Sequence, residues 1–307
     1  MKKIVQWLFS WKGLLMGLGI LIILLGSTRF FSPSMAVDQP ELLFYETGGW
    51  RDVYASTDEG VLHAVKAGDS TSKSLLVFIH GSPGSWSDFT QFADSFQLHH
   101  HHQLLFVDRP GYGASTHPHT GDLHDQANAI MGLVVKEMTT HSLEKLVIFG
   151  HSYGGPVAMR VAVEYPEVVD GLVLAAPTIA HPFQEPRWYN KAANFVAVRW
   201  LLGDWLQNSN REMIRLYHEE LLPLDSMLST YRGPIAYIQG DQDVLVPAQS
   251  AGYFRYHCPE CRVHFILDEE MNHFIPWSHP QYLSQALDWV EEQETLNDTV
   301  VQEQIAE

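Results

Sequence analysis

The run Phe149-Gly150-His151-Ser152-Tyr153-Gly154-Gly155 constrains this chain more than any other stretch. Before it lies Lys145-Leu146-Val147-Ile148-Phe149, a short apolar run with strand character. After it, Pro156 to Tyr165 reads as a helix with Val157, Ala158, Val161 and Ala162 on one face. A serine on so sharp a strand-to-helix turn needs glycine on both sides, because side chains at positions 150 and 154 have no room there. The turn lifts the serine hydroxyl out to where a small molecule can reach it. The bare Gly-x-Ser-x-Gly pattern arises by chance in roughly one chain in ten of this length. The flanks, and partners elsewhere in the chain, therefore carry the argument.

Such a turn calls for an acid and then a histidine further along the chain. Pro234-Ile235-Ala236-Tyr237-Ile238-Gln239-Gly240 is an apolar strand leading into Asp241-Gln242-Asp243, and the strand from Arg262 to Leu267 leads by a short loop to His273. Ser152, Asp243 and His273 thus occur in the required order, each after its own strand. The residue types fit nucleophilic catalysis. A serine hydroxyl is a weak nucleophile at neutral pH, so a base must take its proton. Imidazole titrates near that pH, and a carboxylate fixes its tautomer and stabilises the imidazolium. Asp241 is the rival acid; Asp243, three residues past Gly240, is preferred, with Asp241 as a turn residue. An oxyanion site is expected from His80-Gly81-Ser82-Pro83-Gly84, which follows the strand Leu75 to Ile79. Its donors would be the backbone N–H groups of Ser82 and Tyr153, with His80 holding the turn and not acting as a base.

These segments, together with Asp108-Arg109-Pro110-Gly111-Tyr112-Gly113-Ala114-Ser115, resemble the α/β-hydrolase superfamily, in the small branch that bears a cap. That branch includes proline iminopeptidases, haloperoxidase-like esterases, epoxide hydrolases and haloalkane dehalogenases. The resemblance covers roughly residues 75 to 290. It implies an α/β fold, a mostly parallel eight-stranded sheet with helices on both faces, plus a helical cap insertion. It also supports catalytic roles for Ser152, Asp243 and His273; the turns themselves give His80, Gly81, Gly150 and Gly154 structural roles, and the expected chemistry needs neither cofactor nor metal. Epoxide hydrolases and haloalkane dehalogenases carry Asp at the nucleophile position, whereas this chain has Ser152.

Periodicity places strands near 52–57, 61–67, 75–79, 104–108, 145–149, 171–175, 235–239 and 262–267. Helices are expected over 86–97, 122–141, 156–165, 246–257 and 279–294. The core is then 50–176 and 234–294, and 177–233 is the cap, rich in aromatics such as Trp188, Tyr189, Phe195, Trp200 and Trp205. Most of these are expected to hold the cap's helices to the core, with one or two lining an apolar pocket. Residues 295–307 form an acidic tail that frays from the last helix.

The N-terminus differs in kind. Lys2, Lys3 and Lys12 precede an uncharged run from Gly13 to Gly26, extended to Thr28, before Arg29. Residues 1–12 read as a cytoplasmic start, 13–31 as a transmembrane anchor or uncleaved signal and 32–49 as a linker. The alternative is a secreted protein cleaved near Ala36. Either places the catalytic domain outside the cytoplasm, in a periplasm-like compartment. A formal net charge of −17 on the chain as a whole repels nucleic acid and anionic lipid. Cys258 and Cys261 are a local disulfide or two free thiols. His99 to His102 read as an exposed loop, since four neighbours in a row cannot all face one metal on a regular backbone.

The expected activity is cleavage of a carboxylic ester, through an acyl-enzyme, on a small substrate with an apolar group. A proline-type aminopeptidase, a lactonase, a carbon–carbon bond hydrolase, a perhydrolase and a non-catalytic binding module are the alternatives. An aminopeptidase needs an acid in the cap for the substrate amine, and Glu185, Asp204, Glu212, Glu219 and Glu220 are the candidates.

Overall fold

The computed structural model describes residues 49–306, so the apolar segment 13–31 and its flanks lie outside the described residues. Eight strands follow the predicted positions to within a residue or two. They are β1 (Arg51–Ser56), β2 (Val61–Gly68), β3 (Ser74–Ile79), β4 (Gln103–Asp108), β5 (Lys145–His151), β6 (Gly171–Ala175), β7 (Ile235–Gly240) and β8 (Val263–Asp268). Their order across the sheet is β1-β2-β4-β3-β5-β6-β7-β8. β2 pairs antiparallel with both β1 and β4, and every other pairing is parallel.

The sheet is covered on both faces, and its strands alternate between two separate apolar layers. Leu75, Val77 and Ile79 of β3, with Leu146 and Ile148 of β5, join one layer under α2 (Leu123–His141) and α3 (Gly154–Glu164). The intervening Leu76, Phe78, Val147 and Phe149 join the other, under α1 (Thr90–Ser95) and the final helix. Strands buried on both sides read as unbroken apolar runs, and each fully buried Leu, Ile or Phe stabilises the fold by about 1.5–3 kcal/mol.

Three expected helices differ in extent. The stretch 86–97 breaks into a 3-10 turn at Trp86–Phe89, the short α1, and a second 3-10 turn at Leu98–His100 entered by Gln97 at φ 53°. Local side-chain bonds compete with a continuous helix there: Thr90 donates to the Ser87 carbonyl at 2.8 Å. The helix expected from 246 starts only at Gln249, as α8 (Gln249–His257), because the Val246 N–H is already donated to Asp243 at 2.8 Å. The final helix runs from Pro280 to Ala306, beyond the expected end at 294, and no Gly or Pro follows Pro280 to stop it.

Between β6 and β7 the chain makes a helical insertion of α4 (Trp188–Ala193), α5 (Val196–Leu201), α6 (Asp204–Arg215), a π-helical turn (Leu216–Glu220) and α7 (Leu221–Asp225). Its aromatics do not mainly hold it to the core. Trp188, Phe195 and Trp200 are exposed, and buried aliphatics such as Leu216, Leu221 and Leu224 make the attachment instead. Cys258 and Cys261 are joined in a disulfide. The final two helices are α9 (Ile275–Ser278) and α10, the helix ending at Ala306. Among the described residues no helix is long and apolar enough to cross a membrane.

Candidate active site

β5 ends at His151, and α3 begins at Gly154, leaving Ser152 and Tyr153 to make the turn. Ser152 sits at φ 53°, in the left-handed region that a side chain rarely adopts. The strain is held by neighbours: the Ser152 N–H donates to the Ala175 carbonyl at 3.0 Å, and the Ser152 carbonyl accepts from the N–H groups of Gly155 and Thr178, each at 3.0 Å. A Cβ at Gly154 would lie 2.2 Å from the Ile79 carbonyl oxygen, so glycine there lets the elbow press against the end of β3. Gly154→Ala is expected to cost about 1–3 kcal/mol of stability in denaturant unfolding. Gly132→Ala, where a Cβ meets nothing within 4 Å, is the control and should not destabilise.

The structure brings Ser152, His273 and Asp243 together. The Ser152 hydroxyl donates to His273 Nε2 at 2.9 Å, and His273 Nδ1–H donates to Asp243 Oδ2 at 2.8 Å. Asp243 and His273 are buried. The carboxylate is further fixed by N–H donors from Leu245 and Val246 at 2.8 Å each and by Gln239 Nε2 at 3.2 Å. Asp241 is exposed and away from His273, with its N–H donated to the Asp268 carbonyl at 3.1 Å.

The Gly81-Ser82 turn lies directly against the elbow, because a Cβ on Gly81 would approach the Ser152 Cβ at 3.2 Å. Among the described residues, the backbone N–H groups of Ser82 and Tyr153 donate to no protein acceptor. The Tyr153 N–H also stands at the start of α3, where helix dipoles favour negative charge. Beneath the turn, His80 accepts from the Arg109 N–H at 3.2 Å and donates through Nδ1 to the Gly81 carbonyl at 2.8 Å. Burial, aided by the Arg109 charge, pushes His80 down to about 3, so it stays neutral.

Two features escaped sequence reasoning. The first is His151, which lies buried and donates through Nε2 to the His273 backbone carbonyl at 2.9 Å. Burial and the neighbouring His273 hold it down at about 3. The second is a buried ion pair. Arg109, fully buried, spends all five of its N–H donors. Two go to Glu212 at 2.9 Å each, one to Gln126 at 2.9 Å, one to the Gly81 carbonyl at 2.7 Å and one to the His80 carbonyl at 3.1 Å. Tyr112 adds a hydroxyl donor to Glu212 at 2.6 Å. Burial alone would raise the Glu212 carboxyl, but Arg109 and His119 outweigh it and hold it at about 2. Glu212 belongs to α6, so the insertion is tied through Arg109 to the carbonyls of the turn beside Ser152.

Above Ser152 and His273 opens a cavity of about 690 Å³ between core and insertion. Its wall is chiefly apolar, with Leu202, Leu206, Met213, Tyr217, Val246 and Trp277 among its residues. Of the acids named for an amine, none lines this cavity: Glu212 is paired with Arg109, Glu219 and Glu220 with Arg215, while Glu185 and Asp204 line other hollows. The carboxylic acids are represented in its wall by Asp88, which burial, with Asp108 adding to it, pushes up to about 7.

The family model for the alpha/beta hydrolase fold matches residues 74–201. Over 139 residues the chain is 32% identical to Epoxide hydrolase 1 of Caenorhabditis elegans, covering 41% of this chain and 30% of that one. It is 25% identical over 260 residues to the sn-1-specific diacylglycerol lipase ABHD11 of Danio rerio, covering 73% and 74%. The first curated relatives are thus spanned over less than half of their length. Among solved structures, an esterase from Exiguobacterium antarcticum superposes with a TM-score of 0.62 at 18% identity, over 78% of this chain and all of that one (100%).

Proposed function

We propose that this chain, which belongs to the α/β-hydrolase superfamily, cleaves carboxylic esters through an acyl-enzyme formed on Ser152. The observation that carries the reading is the unbroken hydrogen-bond line from Ser152 through His273 to Asp243 at the floor of the cavity. His273 takes the hydroxyl proton as Ser152 attacks the carbonyl, and Asp243 holds the imidazole in the tautomer that allows it. The N–H groups of Ser82 and Tyr153 receive the oxyanion. His273 then protonates the leaving alcohol, and a water activated by the same histidine releases the acid.

In this reading the insertion is a cap over residues 177–233 on a core of 50–176 and 234–294, and residues 13–31 anchor the enzyme with its catalytic domain outside the cytoplasm. The chiefly apolar wall supports an acyl or alkyl group as the part of the substrate that is recognised. An aminopeptidase is disfavoured because none of the acids of the insertion named for a substrate amine lines the cavity.

A panel of p-nitrophenyl esters, lactones and proline amides tests the reading. The acyl series from acetate to octanoate should show kcat/KM rising by up to about fourfold per added methylene, the limit set by about 0.8 kcal/mol per buried CH₂. Preferential turnover of proline amides, or none of any ester, would overturn it.

A further inference from the structure

The segment from Arg187 to Gly203 is unlike the rest of the chain. It holds Arg187, Lys191 and Arg199 and no acidic residue, in a protein whose formal net charge is −17. It also displays its large apolar side chains outward: Trp188 is 78% exposed, Phe195 70%, Val196 83% and Trp200 68%. Aromatics and basic residues, side by side and facing out on short helices, make up the composition of a membrane–water interface. The rings sit at the headgroup level there, and the cations meet phosphate.

The patch is continuous with the mouth of the cavity. Trp188, Tyr189 and Val198 line the cavity together with Leu245, Phe274 and Trp277 from the core. Arg187 donates to the carbonyls of Val244 and Leu245 at 2.8 and 3.1 Å, joining the start of α4 to a loop whose Val244 is 76% exposed. An apolar rim this broad around an opening marks an interaction surface.

We propose that α4, α5 and the neighbouring rim formed by Val244 and Phe274 dock on the surface of a phospholipid bilayer, with the cavity mouth facing the lipid. Three observations select the bilayer over a soluble partner. The local charge is positive against a strongly acidic whole, which suits lipid phosphate and holds the acidic remainder away from it. The exposed residues are of the interfacial type. The same chain carries the uncharged run from Gly13 to Gly26. A substrate acyl chain would then pass from the bilayer into the cavity without crossing water, a consequence that rests on the hydrolase reading, whereas the docking itself does not.

The test uses the full chain, with Ser152→Ala added so that docking is read apart from chemistry. It is reconstituted into phosphatidylcholine–phosphatidylglycerol vesicles that carry brominated acyl chains. Bromine quenches tryptophan emission on contact, and Trp188→Phe/Trp200→Phe should remove about a third of the quenchable emission. An unchanged quenched fraction would overturn the proposal and leave the patch to the N-terminal segment or a second copy. With Ser152 intact, Phe195→Ser/Arg199→Glu should lower turnover of a vesicle-borne ester about tenfold, with p-nitrophenyl acetate turnover unchanged within about twofold. Equal turnover of the vesicle-borne ester by variant and parent would also overturn it.

Discussion

Ser152→Ala is expected to lower ester turnover by about 10⁴- to 10⁶-fold, to the level left by binding and the oxyanion donors alone. The hydroxyl is the group that His273 Nε2 faces, at 2.9 Å, and no other hydroxyl is recorded against that nitrogen among the described residues. The substitution should leave the fold intact, because the backbone bonds that pin the elbow come from the N–H and carbonyl of residue 152 and not from its side chain. Melting temperature should therefore move little while the rate collapses. A fluorophosphonate should label the parent on Ser152, read by mass spectrometry of the peptide, and leave the variant unlabelled. Turnover by the variant within tenfold of the parent would place the chemistry elsewhere.

Glu212→Ala should be the most damaging change outside the hydrogen-bonded line. It strips the counter-charge from Arg109, a guanidinium that is completely buried. Removing one partner of such a pair typically costs about 3–5 kcal/mol, because the other charge is left in the interior. Two consequences separate this from an ordinary core defect. The Gly81 and His80 carbonyls are held by the same guanidinium, so the turn beside Ser152 should loosen and kcat should fall in protein that is still folded. The second is in the pH dependence. The Glu212 carboxyl is held at about 2 in the fold, below its ordinary value of 4.5. A depressed carboxylate contributes stability that is fully present above its unfolded value and is lost as pH falls through the folded one. The parent should therefore lose stability between pH 4.5 and about 2 through this group. Glu212→Gln, which keeps the shape but not the charge, should show a shallower decline over that window. Denaturant unfolding at a series of pH values checks both; parallel curves would show that the pair carries no such linkage.

Much of this architecture could be read in the chain because its signals are local. The central strands β3, β4, β5 and β7 are apolar runs that end at or just before Gly, Asp or His, and Ser152, Asp243 and His273 follow β5, β7 and β8, whose parallel pairing brings them to one sheet edge. The preference for Asp243 over Asp241 was also legible, as a matter of distance from Gly240. What could not be read depends on how the insertion sits. Glu212 meets Arg109 across 103 residues of sequence, and nothing near either residue announces the other. The aromatics of 188–200 looked like packing material, and only placement shows them turned outward. His151 was hidden for another reason: its neighbour Ser152 made the motif, while its own bond goes to a backbone carbonyl 122 residues away. The helix expected over 86–97 failed because hydrogen bonding by Ser and Thr side chains is invisible to apolar periodicity.

The clamp between Arg109 and Glu212 also bears on traffic. An insertion fastened to the floor by a buried, bidentate pair cannot swing aside as a hinged door without exposing two charges it has taken out of water. Such an opening would be rare on the time scale of turnover. Entry and exit would then pass through the standing mouth, which Trp188, Phe274 and Trp277 line. Passage through an opening of that kind filters molecules by girth before affinity is consulted, and on the proposed ester reading slow departure of a bulky acid would set the pace of the cycle.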